Sequence, residues 1–200
     1  MRKLIVNEFM TIDGVVQGPS SPSEDASGGF GNGGWHAPHA TDPEFQRTMV
    51  ETIAGASAYL FGRATYEIFA AHWPNASPGE QVIAEPLNTR PKYVASRTLS
   101  GPLAWRGSTL LEGSVAAAVT TLKRGDGGDI LVIGSPTLVQ TLIEHHLVDE
   151  LRLMIDPVVV GGGKRLFRDD GALRTLRLVS STATATGALI TTYAPKEKTS

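Results

Sequence analysis

Strand-length apolar runs alternate with stretches of helical period through the first two thirds of this chain, and then strand-length runs follow one another directly. Lys3 to Asp13 reads as a mostly buried first strand closed by Asp13-Gly14. Asp42-Pro43-Glu44 opens a helix, with Asp42 as N-cap, Pro43 at the first helical position and Phe45, Met49, Val50 and Ile53 on its buried stripe. Ala58 to Phe61 is a strand and about Arg63 to Ala71 a helix; Lys92 to Ala95 is a further strand. Ser114 caps a helix through about Lys123, whose Val115, Val119 and Leu122 share a face. Ile130 to Ile133 is a buried strand, followed by a helix from Pro136 to about His145. Leu151 to Val160, Leu173 to Ala183 and Ala188 to Tyr193 are strands. That order predicts an α/β fold: a mixed, mainly parallel sheet, helices on both faces and an antiparallel C-terminal edge. No internal repeat and no break in pattern marks a second domain, so residues 1–200 are expected to form one.

Charge and composition narrow the partners. The net charge of −2 gives no general attraction to nucleic acid or anionic membrane, so any anion site must be local. With no cysteine, thiolate catalysis, disulfides and cysteine-based zinc sites are excluded. The apolar run after Met1-Arg2-Lys3 stops at Asn7-Glu8, too short for a signal peptide, and no run approaches the roughly 18 apolar residues of a membrane span. A cytoplasmic protein is expected.

Three strand–helix junctions carry anion chemistry. Gly134 lets the backbone approach a ligand, Ser135 stands where a helix is capped, and Pro136 and Thr137 begin that helix, whose free N–H groups suit pyrophosphate. At Gly62-Arg63-Ala64-Thr65 a guanidinium and a hydroxyl lie in a first helical turn. An anion there would offset the unfavourable dipole term of Arg63, as would a surface carboxylate. Ser96-Arg97-Thr98 sets a hydroxyl beside a guanidinium at a strand's carboxyl end, the chemistry that distinguishes a 2′-phosphate. Open α/β sheets place ligands at such ends.

Other patterns are decoys. Gly29 to Gly34 matches G-x-G-x-x-G, but no strand precedes it and no helix opens on it. His36 and His39 bracket Pro38 without a supporting carboxylate pattern, so no metal site is expected. His145-His146 ends a helix, where positive charge favours the dipole. The Gly-, Ser- and Pro-rich run from Gln17 to Gly34 reads either as a mobile active-site flap or as a disordered segment.

The chain resembles the dihydrofolate reductase superfamily, in the branch similar to the C-terminal reductase domain of the bifunctional riboflavin-biosynthesis deaminase/reductase. The residues that carry the resemblance are Thr11-Ile12-Asp13-Gly14; Gly34-Trp35 with Pro38; Gly62 to Glu67 with Trp73-Pro74; and Tyr93 to Leu99. Ile133-Gly134-Ser135, Asp149-Glu150-Leu151, Pro157 to Phe167 and Thr192-Tyr193 continue it. The resemblance implies a dihydrofolate-reductase-like three-layer fold, NADPH as cofactor, a small-molecule substrate and a homodimer. It implies that Gly62, Arg63 and Thr65 hold phosphates, that Ser96 and Arg97 hold the 2′-phosphate and adenine ribose, and that Gly134, Ser135 and Thr137 hold the pyrophosphate. Asp13, Gly14 and Trp35 would lie near nicotinamide and substrate.

The chain departs from the family where Ser135 replaces the second glycine of a pair. No carboxylate aligns with the usual proton donor, since Asp42 and Glu44 are helix-start residues. Asp13 is the candidate for orienting substrate or relaying a proton, or else a turn aspartate before glycine. The expected activity is hydride transfer from NADPH to a C=O or C=N of a small heterocyclic or sugar-linked substrate, the nearest named one being the aminouracil reductase step of riboflavin biosynthesis. A non-catalytic dinucleotide- or drug-binding protein, and a folate or pterin reductase, are the alternatives.

Overall fold

A computed structural model describes residues 1–196. The chain forms two compact units, one from Met1–Val6 with Thr48–Val148, the other from Asn7–Arg47 with the chain from Asp149 onward. Strand β1 (Leu4–Thr11) and helix α1 (Pro43–Gly55) each contribute residues to both.

In the first unit the strands are β2 (Ala58–Gly62), β3 (Lys92–Ala95), β4 (Ser108–Leu110) and β5 (Ile130–Ile133), in the order β4-β3-β2-β5 with β1 beside β5. The pairs β2–β3, β3–β4 and β2–β5 are all parallel, as the alternating pattern predicts. The helices are α2 (Arg63–His72), α3 (Gln81–Thr89), α4 (Val115–Arg124) and α5 (Pro136–Glu144). All five residues of β2 are buried, so both faces of the strand are covered. Tyr59 and Phe61 join Ile53 of α1, Tyr66 of α2, Leu87 of α3 and Trp105 in one apolar cluster. Ala58 and Leu60 alternate to the opposite face, where α5 packs on β2 and α4 on α5.

Helix α3 and the short strand β4 are not expected from the sequence. Pro86 lies inside α3, buried with Ala84 and Leu87. The end of α3 is held by a buried cation: Lys92 Nζ donates to the carbonyls of Leu87 at 2.8 Å and Arg90 at 2.9 Å and lies 4.7 Å from the Trp105 ring centroid. Arg90 does the same for α1, donating to the carbonyls of Ile53, Ala54 and Ala56.

The second unit holds β6 (Glu150–Asp156), β7 (Leu176–Ala183) and β8 (Leu189–Pro195), in the order β1-β6-β8-β7. Strand β8 is antiparallel to both β6 and β7, giving the expected antiparallel C-terminal edge. The ladder between β7 and β8 slips between Leu178 and Ser180, and β7 is exposed along nearly its whole length. The strand expected to reach Val160 stops at Asp156. Beyond Pro157, the Asp13 carboxylate accepts the N–H groups of Val160 and Gly161, which draws them off a strand ladder. Asp42 caps α1 as predicted, its Oδ1 accepting the N–H groups of Glu44 at 3.0 Å and Phe45 at 3.3 Å. No helix among the described residues is long and apolar enough to cross a membrane.

Burial pushes the Lys92 ammonium down to about 8 from an ordinary value of 10.5. Between these values the unfolded chain holds the proton and the folded chain does not, so folding is favoured as pH rises through that window. The thermal midpoint is expected to rise from about pH 7.5 to about pH 10 by a lysine-dependent increment. Differential scanning calorimetry on the wild type and Lys92→Met isolates that increment, which the variant should lack.

Candidate functional site

Because β3, β2 and β5 are parallel neighbours, their carboxyl ends lie side by side. Gly62 registers with Ala95, Leu60 registers with Val132, and the Gly62 N–H points to the Gly134 carbonyl at 3.5 Å. The three junctions singled out in the sequence are therefore brought together within the first unit. Helices α2 and α5 both start at this edge, at Arg63 and Pro136.

Two glycines and two hydroxyls interlock there. A Cβ on Gly62 would fall closer than 3.0 Å to the Ser135 Oγ, and one on Gly134 equally close to the Thr65 Oγ1. Those two oxygens are 3.2 Å apart, one hydroxyl donating to the other. Gly134 has φ +51°, which favours glycine independently of the crowding, and the Gly134–Ser135 peptide is cis. The Ser135 side chain does not cap α5, contrary to expectation, and no side chain caps α2 either. It is turned toward Gly62 and Thr65 instead. Both helices thus open with first-turn N–H groups that no cap takes up, a combination suited to phosphoryl oxygens. Ser114 likewise stands at the start of α4 without a side-chain bond to it.

The two arginines differ. Arg63 Nη1 lies 2.9 Å from Glu67 Oε2 in an exposed i,i+4 pair, the surface-carboxylate alternative for this residue. Arg97 is exposed at the end of β3 and makes no ion pair among the described residues. Ser96 Oγ accepts the N–H groups of Thr98 at 3.1 Å and Leu99 at 2.9 Å, closing the turn that presents Arg97. Thr137 is exposed in the first turn of α5, and its carbonyl accepts the Thr141 hydroxyl.

The residues expected near substrate lie in the second unit. Gly14 takes φ +84° in a turn, its N–H donating to the Thr11 carbonyl. The Asp13 carboxylate receives the Thr11 hydroxyl at 2.6 Å as well as the two backbone donors. These bonds, the Thr11 hydroxyl foremost, hold its carboxyl below the usual carboxylate value. Asp13 therefore serves as the ionised anchor of a loop. Trp35 is buried, and its indole N–H donates to the Gln17 carbonyl at 2.9 Å. The segment from Gln17 to Gly34 is organised, not structureless. The Gln17 side-chain amide donates to the carbonyls of Asp25 and Ser27, Gly34 N–H bonds the Gly18 carbonyl, and Lys164 Nζ reaches Asp25 Oδ2 at 2.6 Å. With Gly162, Gly163 and Lys164 it lines an open cavity of about 520 Å³.

His36 and His39 carry a surprise of their own. No group of residues that could hold a metal ion occurs among the described residues, yet His36 does have a carboxylate, from Asp156. Its Nδ1 lies 2.7 Å from Asp156 Oδ2, with both side chains buried. His36 stacks on Phe9 with ring centroids 4.4 Å apart and meets Phe45 at 4.5 Å.

The sequence model of the RibD C-terminal domain matches residues 2–190, and the chain belongs to that family. It is similar to the uncharacterized protein YyaP of Bacillus subtilis (strain 168), 28% identical over 198 residues that cover 96% of this chain and 94% of YyaP. Among solved structures, it resembles a putative riboflavin biosynthesis protein from Shewanella sp. PV-4, with a TM-score of 0.69 and 20% identity over 98% of this chain and 99% of that one. It also resembles a pyrimidine reductase-like protein from Corynebacterium diphtheriae, with a TM-score of 0.62 and 12% identity over 98% and 93%. The expected fold class is borne out by these likenesses.

The interlock gives a stability test that needs no ligand. Gly62→Ala should lower the unfolding free energy by about 1–3 kcal/mol through overpacking against Ser135. The same change in a Ser135→Gly background should cost less than half as much in urea denaturation.

Proposed function

We propose that this protein is an NADPH-dependent reductase of the RibD C-terminal type, a single reductase domain that delivers hydride to a C=O or C=N of a small heterocyclic or sugar-linked substrate. The observation that carries this reading is the alignment of three neighbouring parallel strand ends, at Gly62, Ala95 and Gly134. Two uncapped helix starts and an unpaired guanidinium gather at that one edge. The residues present fit a doubly phosphorylated nucleotide. Gly62 and Gly134 keep side-chain atoms out of the cradle, the first turns of α2 and α5 supply N–H donors, and the Thr65–Ser135 pair supplies a hydroxyl. Arg97 offers a fork for a terminal phosphate, which is what preference for NADPH over NADH requires. When bound, the cofactor supplies the hydride. The chain's own task is to hold the cofactor's phosphates at this edge.

Titration of the chain with NADPH and with NADH, followed by nicotinamide fluorescence, tests the reading. Arg97→Ala should raise the Kd for NADPH about 10- to 100-fold, the loss of one or two charge-assisted bonds, and leave that for NADH within about twofold. Arg63→Ala should act more weakly, because Glu67 already holds that guanidinium. Loss of absorbance at the reduced-nicotinamide band with a panel of imines, carbonyls, aminopyrimidines and pterins then tests turnover. Cofactor binding without turnover on any of them fits a dinucleotide-binding protein instead, and equal affinity for NADPH and NADH would overturn the assignment.

A further inference from the structure

We propose that Ser135 is a positioning residue of the nucleotide cradle: it donates its hydroxyl to Thr65 and so aims the Thr65 hydroxyl at the pyrophosphate. The inference rests on the reductase reading above and lies wholly within the first unit. Ser135 holds the N-cap position of α5, yet its side chain bonds no N–H of that helix. Its Oγ stands 3.2 Å from Thr65 Oγ1 instead. Thr65 also departs from the habit of helical threonines in this chain. Thr89, Thr120, Thr121 and Thr141 each donate to the carbonyl four residues back, which spends the hydroxyl proton within their own helix. Four residues before Thr65 stands Phe61 of β2, and the Thr65 hydroxyl turns across to Ser135.

Two hydroxyls that bond each other have one proton left over, and the order of donation decides which of them carries it. Both residues are half-buried, so that proton can reach a ligand. Two features give it to Thr65. Thr65 shares the first turn of α2 with Arg63, so an anion drawn to that guanidinium and to that turn's N–H groups meets Thr65. Threonine is also the stiffer of the two. Branching at Cβ restricts its χ1, and a hydroxyl already held in place loses little freedom on binding. Ser135 is then the inner member, packed over Gly62, where a Cβ would collide with its Oγ. By donating to Thr65 it polarises the outer O–H and strengthens it as a donor. Such a contact serves the pyrophosphate that NADPH and NADH share, not the 2′-phosphate that tells them apart.

Substitutions at the two positions test the pair through nucleotide affinity, read by nicotinamide fluorescence and, for 2′-AMP, by displacement of NADPH. Ser135→Ala should raise the Kd of NADPH and of NADH by the same factor, about 3- to 10-fold. Thr65→Val should raise both further, by about 10-fold or more. Added to Thr65→Val, Ser135→Ala should change Kd by less than about 1.5-fold, because the hydroxyl it serves is gone. Thr65→Ser should stay within about twofold of the wild type. In that background Ser135→Ala should cost more than it does alone, since an unbranched side chain depends on its partner for direction. 2′-AMP, which has no pyrophosphate, should bind every variant as it binds the wild type, whereas a general disturbance of the edge would weaken it too. A larger loss for Ser135→Ala than for Thr65→Val, additive losses in the double variant, or a matching loss for 2′-AMP each overturns the proposal and leaves the reductase reading standing. A wild type that binds neither dinucleotide overturns both.

Discussion

The lateral pairing of β2 between β3 and β5 is the constraint on which the candidate site depends. Parallel strands in register end together, so whatever follows each strand is delivered to one edge. Two of the connections are then fitted to each other at close range. Gly62 makes room for Ser135, Gly134 makes room for Thr65, and the two hydroxyls join across the gap. The glycines are needed by each other's neighbours as much as by any ligand. Ser135 fits at this junction because its side chain has a berth over Gly62.

Much of the first unit was legible because its signals are local. The fully apolar runs of β2 and β5 and the Gly-hydroxyl junctions after them each lie within a few residues of chain, as does the N-cap Asp42 with Pro43 in the second unit. Where the sequence misled, a distant partner overrode local preference. Helix α3, for which the sequence carries no clear period, keeps the buried Pro86 inside it while Lys92 takes up carbonyls at its end. Ser135 and Ser114 occupy capping positions without capping, since position alone does not say where a side chain turns.

The second unit was harder to read. Asp13 looks the same in sequence whether it serves chemistry or a turn; the N–H groups it accepts come from Val160 and Gly161, far along the chain. The carboxylate of His36 lies 120 residues away, and no spacing rule connects residues so far apart. The run from Gln17 to Gly34 has almost no apolar residues and so reads as either a mobile flap or a disordered segment, yet the Gln17 amide and Lys164 organise it through polar bonds. Hydrophobic periodicity is silent about order of that kind.

Strand β7 offers a last consequence. It forms the outer edge of its ladder, with Leu178 and Val179 each about half exposed, and a bare edge of this sort invites growth by addition of further chains. The slip in register at Val179 interrupts the row of evenly spaced backbone donors and acceptors that an incoming strand would need. Sheet extension would stall at that point, so the irregularity works as a guard against fibre-like self-assembly.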